Sequence, residues 1–117
     1  MSFTVAGKNI MLDRITDEIT HVTIFSDNDG NDEIHDTEDE MQRQEVNWEE
    51  AEEGQVYAEN EPEFSIPEGT AVRAVGFYDG PNEEANMLAL DADVDVEEYA
   101  NEGLYRLTQI RLQIEDE

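Results

Sequence analysis

The sequence has 117 residues, with 32 Asp or Glu against 6 Lys or Arg, so its formal net charge is −26. This length predicts one small domain over residues 1–117, and the absence of cysteine excludes disulfides and thiolate metal sites. The charge argues against binding to nucleic-acid phosphates or to anionic lipid, and no apolar run approaches the roughly 18 residues of a membrane span.

The first predicted element is a short amphipathic helix at residues 4–16. Its apolar side chains recur near helical spacing, at Val5, Ile10, Leu12 and Ile15. Thr4 stands at the start of this pattern, and its hydroxyl is suited to cap the first turn. From residue 19 onward the helical period is lost.

The rest of the chain alternates with the period of two that is typical of strands. Residues 19–25 predict a strand with one buried face. Residues 27–41 lack the alternation, and their many carboxylates predict a long acidic loop. Six further strands are predicted at 42–48, 54–58, 62–66, 71–79, 86–96 and 104–114. Turn signals separate several of them, including Gly69, which can adopt a positive φ.

Seven short strands separated by turns predict a mainly β fold. The expected architecture is an antiparallel β-sandwich, of the jelly-roll or immunoglobulin-like type, with a short N-terminal helix. Val75, Phe77 and Leu112 are predicted to contribute to the core. Core packing is also expected for the aromatic side chains at strand positions, with one or two of them serving an interface: Trp48, Tyr57, Phe64, Phe77 and Tyr78.

Four explanations compete for the acidic composition: intrinsic disorder, mimicry of DNA, divalent-cation binding and adaptation to molar salt. The strand periodicity argues against disorder. Lys8 is the only lysine, and Asp and Glu are spread over nearly the whole chain, which is the composition of proteins from extreme halophiles. We therefore expect the charge to reflect the solvent. Ion pairs are expected at Arg43, Arg73, Arg106 and Arg111.

One acidic segment is similar to the start of a calcium-binding loop. Asp27, Asp29 and Asn31 place oxygen ligands at alternating positions, as in an EF-hand loop whose twelfth position would be Glu38. Asp32 stands where that loop needs glycine, and a strand precedes the segment. The alternatives are a solvated acidic loop or a site that holds Mg²⁺ or Ca²⁺ loosely at the first three residues.

A second acidic pattern is the alternation of Asp91, Asp93 and Asp95, which predicts three carboxylates on one strand face. The pattern favours an exposed sheet face in high salt, and the alternative is a ladder of bound cations.

No constellation of catalytic residues is evident in the sequence. The serines lack the nucleophile-elbow pattern, and there is no cysteine nucleophile and no Gly-rich phosphate loop. His21 and His35 are too few for a metal cluster. The sequence therefore predicts a non-enzymatic protein without a cofactor.

Five sequence segments, taken in their order along nearly the whole chain, give a further indication of the family. The segments are AGKNIMLDRI (6–15), ITHVTIFS (19–26), RQEVNWEEAEEGQV (43–56), EFSIPEGTAVRAVGFYDG (63–80) and GLYRL (103–107). This series resembles a family of small structural proteins found in tailed viruses of bacteria and archaea. The matching positions are Arg43, Gln44, Val46, Trp48, Phe64, Ile66, Pro67, Gly69, Thr70, Val72, Gly76, Phe77, Tyr78, Asp79, Gly103, Tyr105 and Leu107. The acidic loop at 27–40 has no counterpart in the family.

The resemblance implies a virion protein with a β-sandwich core and no catalytic residues. Such proteins decorate the capsid or form its turrets, or they belong to the tail as minor or fibre-associated subunits. Expected partners are copies of the same chain and the major capsid or tail proteins. With the acidic composition, the expected source is a tailed virus of a haloarchaeal host. The alternatives are an acidic DNA mimic that inhibits a host nucleic-acid-binding protein, and a calcium-binding module.

Overall fold

One helix is followed by ten short strands in residues 2–36, 41–92 and 94–114, the part of the chain that the computed structural model describes. The helix, α1, spans Val5–Glu18. The strands are β1 His21–Phe25, β2 Gln44–Glu45, β3 Gln55–Tyr57, β4 Glu63–Ile66, β5 Thr70–Val72, β6 Ala74–Tyr78, β7 Met87–Asp91, β8 Glu97–Tyr99, β9 Gly103–Arg106 and β10 Arg111–Gln113. Their pairs are antiparallel. The prediction of a mainly β chain with antiparallel sheets and one N-terminal helix is confirmed.

The helix begins as predicted, but its apolar side chains are not all buried. The Thr4 side chain accepts a hydrogen bond from the Gly7 backbone N–H at 3.1 Å, which confirms the N-cap. Leu12 packs in a small cluster with Ala51 and Val56. Ile10 is 58% exposed, because residues two apart on a helix point to opposite sides. The apolar side chains of α1 therefore divide between a buried side and an exposed side.

A four-stranded sheet in the order β2-β1-β6-β7 forms the centre of the fold. Val22 and Ile24 of β1 face the main core, whereas Phe25 packs with Ala74 and Tyr78 in a second cluster. The prediction that β1 buries one face was wrong, since residues 22–25 are all buried.

The main core lies between this sheet and three two-stranded ribbons, β3–β10, β4–β9 and β5–β8. The ribbons supply Phe64, Ile66 and Val72, and the sheet supplies Val75 and Phe77. Of the predicted core residues, Val75 and Phe77 are buried, and Leu112 is partly buried against the cluster. Two layers around a shared core fit a sandwich, whereas the jelly-roll or immunoglobulin-like assignment stays a prediction.

Two predicted strands are each divided in the structure because the chain changes its pairing partner, and a third ends earlier than predicted. Residues 71–79 split at Arg73, where β5 leaves β8 and β6 joins β1. The Arg73 backbone N–H donates to the Phe25 carbonyl at 2.8 Å at this crossing point. Residues 104–114 split near Gln109, whose φ of 56° is in the left-handed region. Within the predicted strand 86–96, only β7 at Met87–Asp91 is a strand, and the next strand, β8, begins at Glu97.

Part of the predicted acidic loop at 27–41 belongs to the core instead of the solvent. Ile34 is buried in the main cluster, and its N–H donates to the Ile24 carbonyl at 2.9 Å. Phe25 and Glu33 form an isolated antiparallel bridge next to it. Residues 37–40 lie outside the described residues. The segment after β1 therefore pairs with the edge of β1 at Phe25 and places Ile34 in the main core. The other face of β1 is buried where Phe25 packs with Ala74 and Tyr78.

Gly76 marks a close approach inside β6. A Cβ atom at this position would lie 2.5 Å from Phe25 Cε2 and 3.1 Å from Phe25 Cζ. The Phe25 ring is itself buried, so it has little room to move. We expect Gly76→Ala to destabilise the fold by about 1–3 kcal/mol through overpacking.

Chemical unfolding followed by Trp48 fluorescence measures the effect of Gly76→Ala, since Trp48 is the only tryptophan. Gly80→Ala is the matched control, because its nearest contact would be an ordinary 3.5 Å to the Ala85 Cβ. The control is expected to change stability by less than about 0.5 kcal/mol. Equal effects of the two changes would contradict the close packing of Gly76.

Candidate functional site

The ion pair between Glu33 and Arg43 is much less exposed to solvent than the pair between Arg106 and Glu63. The two side chains are only 12% and 5% exposed, and Arg43 Nη2 lies 3.0 Å from Glu33 Oε1. Arg43 Nε donates to the other carboxylate oxygen at 3.1 Å. The contact is therefore bidentate, the geometry in which Arg holds a carboxylate most strongly.

Further contacts fix this pair on the outer side of the sheet. The Thr23 hydroxyl donates to Glu33 Oε2 at 2.9 Å, and Arg43 Nη1 donates to the Asn82 carbonyl at 2.5 Å. The guanidinium carbon of Arg43 lies 3.7 Å from the ring centroid of Tyr78. Burial raises the pKa of the Tyr78 phenol, and the Arg43 charge lowers it. These contacts join the β1–β2 segment to β6 and to the β6–β7 connection.

The predicted metal ligands Asp27, Asp29 and Asn31 lie in the turn that follows β1. Both oxygens of Asp27 accept the Asn31 backbone N–H, at 3.1 and 3.2 Å, and Oδ1 also accepts the Asp32 N–H at 2.9 Å. Asp29 and Asn31 are exposed. Asp27 thus stabilises the turn, as an Asp side chain does when it binds backbone N–H groups.

The described residues contain no group of three or more His, Cys, Asp or Glu side chains that could hold a metal ion. Glu38, the twelfth position of the calcium-loop pattern, lies outside them. A loosely held Mg²⁺ or Ca²⁺ at Asp27, Asp29 and Asn31 stays a prediction.

An open groove of about 830 Å³ lies beside the second acidic pattern. Its apolar lining includes Val75, Phe77 and Ile110, and Asp91 and Asp95 stand at its border. Asp93, the middle residue of the predicted carboxylate alternation, lies outside the described residues.

Tyr105 also lines the groove, where the nearby carboxylates affect the pKa of its phenol. Burial raises the pKa of the Tyr105 phenol, and the charges of Glu97, Asp91 and Asp95 raise it further. Arg106 and Arg111 also line the groove, so charged side chains of both signs border its apolar surface.

Ion pairs were predicted at four arginines, and the structure confirms them at two. Arg43 pairs with Glu33, and Arg106 Nη2 lies 2.9 Å from Glu63 Oε2 in an exposed contact between β9 and β4. Arg111 Nη1 instead contacts the Gln55 amide oxygen at 3.3 Å. The contacts of the described residues include no ion pair of Arg73.

Neither histidine belongs to a metal cluster within the described residues. His21 Nδ1 lies 2.8 Å from the Thr20 hydroxyl at the start of β1. His35 is half-buried in the segment that follows the Phe25–Glu33 bridge.

The aromatic residues divide between core and surface. Phe64, Phe77 and Tyr78 are buried as predicted, and Trp48 is partly buried with its indole N–H donating to the Ile19 carbonyl at 3.0 Å. Tyr57 is exposed, so the prediction of core packing was wrong for this residue.

The exposed apolar side chains on β7 were not predicted from the sequence. Leu88 and Leu90 are 37% and 39% exposed on a strand at the edge of the central sheet. The signal was present in the sequence, because residues 85–90 form an uncharged run in a chain of which 32% is charged. Neutral exposed surface of this kind is suited to contact with another protein.

Asp79 closes the connection between β6 and β7. Its carboxylate accepts the Asn86 backbone N–H at 2.7 Å and the Asn86 side-chain amide at 3.1 Å. The hydrogen bond from the Asn86 backbone is the main cause that lowers the pKa of Asp79 below its usual 3.8. The folded state therefore favours the ionised form, in which Asp79 is a pure acceptor.

The stabilisation by Asp79 is expected to depend on pH. Because the pKa is lower in the folded chain than in the unfolded chain, the contribution is present above the usual value and is lost as the pH falls through the folded pKa. Asp79→Asn should lower the unfolding midpoint near neutral pH, and its difference from the natural chain should disappear at strongly acidic pH. A difference that grows on acidification would contradict these hydrogen bonds.

Comparison with known proteins assigns no family to the chain. No protein-family model, curated protein or solved structure matches it. In the described residues, no helix has the length and apolar character needed to cross a bilayer.

Proposed function

We propose that this protein is a non-enzymatic structural component of a tailed virus particle, from a virus that infects a halophilic archaeal host. It acts in the virion as a homo-oligomer, either on the capsid as decoration or turret subunits or on the tail. Its further partners are the major capsid or tail proteins. The proposal rests on the order of sequence segments, on the exposed surface and on the distribution of charge.

The observation that carries the proposal is the presence of large apolar side chains on a strongly acidic surface. They occur on the helix and just before it, on β7, and on the ribbons and just before β8, at Phe3, Val5, Ile10, Ile15, Tyr57, Leu88, Leu90, Val96 and Leu104. A subunit that is repeated in a particle needs such surface for its contacts, whereas carboxylates elsewhere keep the rest hydrated.

The position of the segment EFSIPEGTAVRAVGFYDG at 63–80, the most specific part of the resemblance, supports the same proposal. Residues 63–80 form β4, β5 and β6, and they supply Phe64, Val72 and Phe77 to the main core. The residues that carry the resemblance to virion proteins are therefore framework residues of this fold. A family that shares them would share the scaffold and vary its surface.

Mass spectrometry of purified virus particles tests the proposal directly. We expect the chain in intact particles at a constant ratio to the major capsid protein or to a tail protein, after washing at high salt. Its detection only in the lysate of infected cells, and never in particles, would contradict the structural role. Dissociated capsids and tails, analysed separately, distinguish the two locations.

A further inference from the structure

Strand β7 forms an open edge of the four-stranded sheet. It pairs with β6 on one side, and no other strand of the described residues pairs with its outer side. The opposite edge, β2, has only two residues, whereas β7 has five. An edge strand presents backbone N–H and C=O groups that can bind another strand, and Lys and Pro, which commonly prevent this, are absent from β7.

The same edge is nearly free of charge, although the chain as a whole carries −26. Residues 85–90 read Ala-Asn-Met-Leu-Ala-Leu, and only Asp91 is charged within the strand. Two copies of such an acidic chain repel each other over most of their surface. The repulsion between two copies is weakest where the neutral, partly exposed surface of one copy contacts the same surface of the other.

We infer that β7 pairs with β7 of a second copy of this chain, antiparallel about a two-fold axis near Ala89. The inference rests on the proposed function, for which it names the surface that joins the subunits. In this pairing Leu88 lies opposite Leu90 of the partner subunit, so an apolar side chain meets an apolar one on both sides of the axis. The same patch serves both copies, as two-fold symmetry requires.

Acidic residues at both ends of the run make this pairing dependent on salt. Glu83 and Glu84 precede it, and Asp91 and Asp95 follow it. An antiparallel arrangement brings the Glu84 end of one copy toward the Asp91 end of the other, and both ends are negative. The dimer therefore forms when the Debye length falls to about 3 Å near 1 M salt, whereas a cationic partner strand would bind best at low salt.

The contact is also small. Five residues on each copy bury less than the roughly 1,200 Å² at the lower end of standard protein interfaces. The association is therefore reversible and depends on concentration. The register shift between Phe77 and Tyr78 leaves Leu88 without an opposite residue on β6.

Sedimentation equilibrium over a tenfold concentration range, in about 3 M KCl, tests the inference. The apparent mass of the natural chain is expected to rise from 13.3 kDa toward twice that value, and the rise should vanish at low salt concentrations that keep the chain folded. Leu90→Lys and Leu88→Lys should each weaken the association at least about tenfold. Backbone amides of residues 88–90 should exchange more slowly in the dimer.

Asn101→Lys is the matched control, because it adds a positive charge at an exposed side chain between β8 and β9, outside the central sheet and outside the group of exposed apolar side chains. This variant should associate like the natural chain, and circular dichroism confirms that each variant is folded. A monomeric natural chain at every concentration in high salt would overturn the inference. Association that strengthens as salt is removed, or that Asn101→Lys abolishes as fully as Leu90→Lys, would overturn it too.

These outcomes are separable from a failure of the proposed function. A chain that is present in particles but monomeric in high salt retains the virion role and loses the β7 dimer. A chain that dimerises through β7 but is missing from particles retains the dimer and loses the virion role.

Discussion

Replacement of Arg43 by methionine is expected to destabilise the folded chain by about 3–5 kcal/mol. The substitution leaves Glu33 in a site where its side chain is only 12% exposed, without the guanidinium that neutralises it. It also removes the donor to the Asn82 carbonyl and the cation over the Tyr78 ring. Urea unfolding at constant high salt, followed by Trp48 fluorescence, measures the loss.

The exposed pair of Arg106 with Glu63 provides the control for this measurement. Its side chains are 60% and 44% exposed, so Arg106→Met is expected to cost less than about 1 kcal/mol. Adding Glu33→Gln to Arg43→Met should recover part of the loss, because the uncompensated charge is then removed. Equal losses for the two arginine variants would mean that burial does not strengthen the Glu33–Arg43 contact.

Transfer from about 3 M to about 0.1 M KCl is expected to unfold the chain at room temperature, since the Debye length grows to about 10 Å. Carboxylates that are screened from one another in molar salt then repel over several residues, and only six Lys and Arg side chains are available to offset 32 acids. Circular dichroism over a series of salt concentrations should show loss of β structure at the low end and recovery when salt is restored.

A neutral osmolyte separates charge screening from a general effect on burial. Sucrose stabilises folded proteins by exclusion from their surface but does not screen charge, so at low ionic strength it should restore less structure than KCl. Full β structure at low salt without any additive would contradict the prediction. It would also remove the main support for a halophilic source.

Features set by neighbouring residues were predictable from the sequence. Thr4 caps the helix because its hydroxyl reaches the Gly7 N–H within the same turn. Gly69 has a φ of 76° because the Pro-Glu-Gly-Thr turn demands a conformation that glycine adopts without strain. Both signals lie within four residues, so no knowledge of distant partners is needed.

Features that depend on distant partners were not predictable. The alternation of residues 71–79 continues through Arg73, and the pattern contains no sign that the strand changes from β8 to β1 at that point. Ile34 stands alone among polar residues, so periodicity could not identify it as a core residue. Its burial depends on the hydrogen bond to Ile24 and on the sheet that the rest of the chain forms.

In the candidate functional regions, too, one feature was visible in the sequence and its structural setting was not. Glu33 and Arg43 are ten positions apart and carry no motif, so in a chain with 32 acids the partner of Arg43 could not be identified from sequence. The uncharged run at 85–90 is visible in the sequence. Its location at the edge of the sheet became known only from the pairing of β6 with β7.

The contacts that flank the acidic segment indicate where the length of this chain can change without loss of the fold. Glu33 is paired with Arg43. The Gln42 side-chain amide donates to the Ile34 carbonyl at 3.2 Å and to the Ser65 carbonyl at 2.7 Å, and its oxygen accepts the Ser65 N–H at 2.8 Å. Because these contacts hold the chain on both sides of residues 37–40, an insertion there is expected to lengthen a connection between two fixed points, at about 0.6 kcal/mol for each doubling of its length. Related chains can therefore vary in length here while the central sheet stays the same.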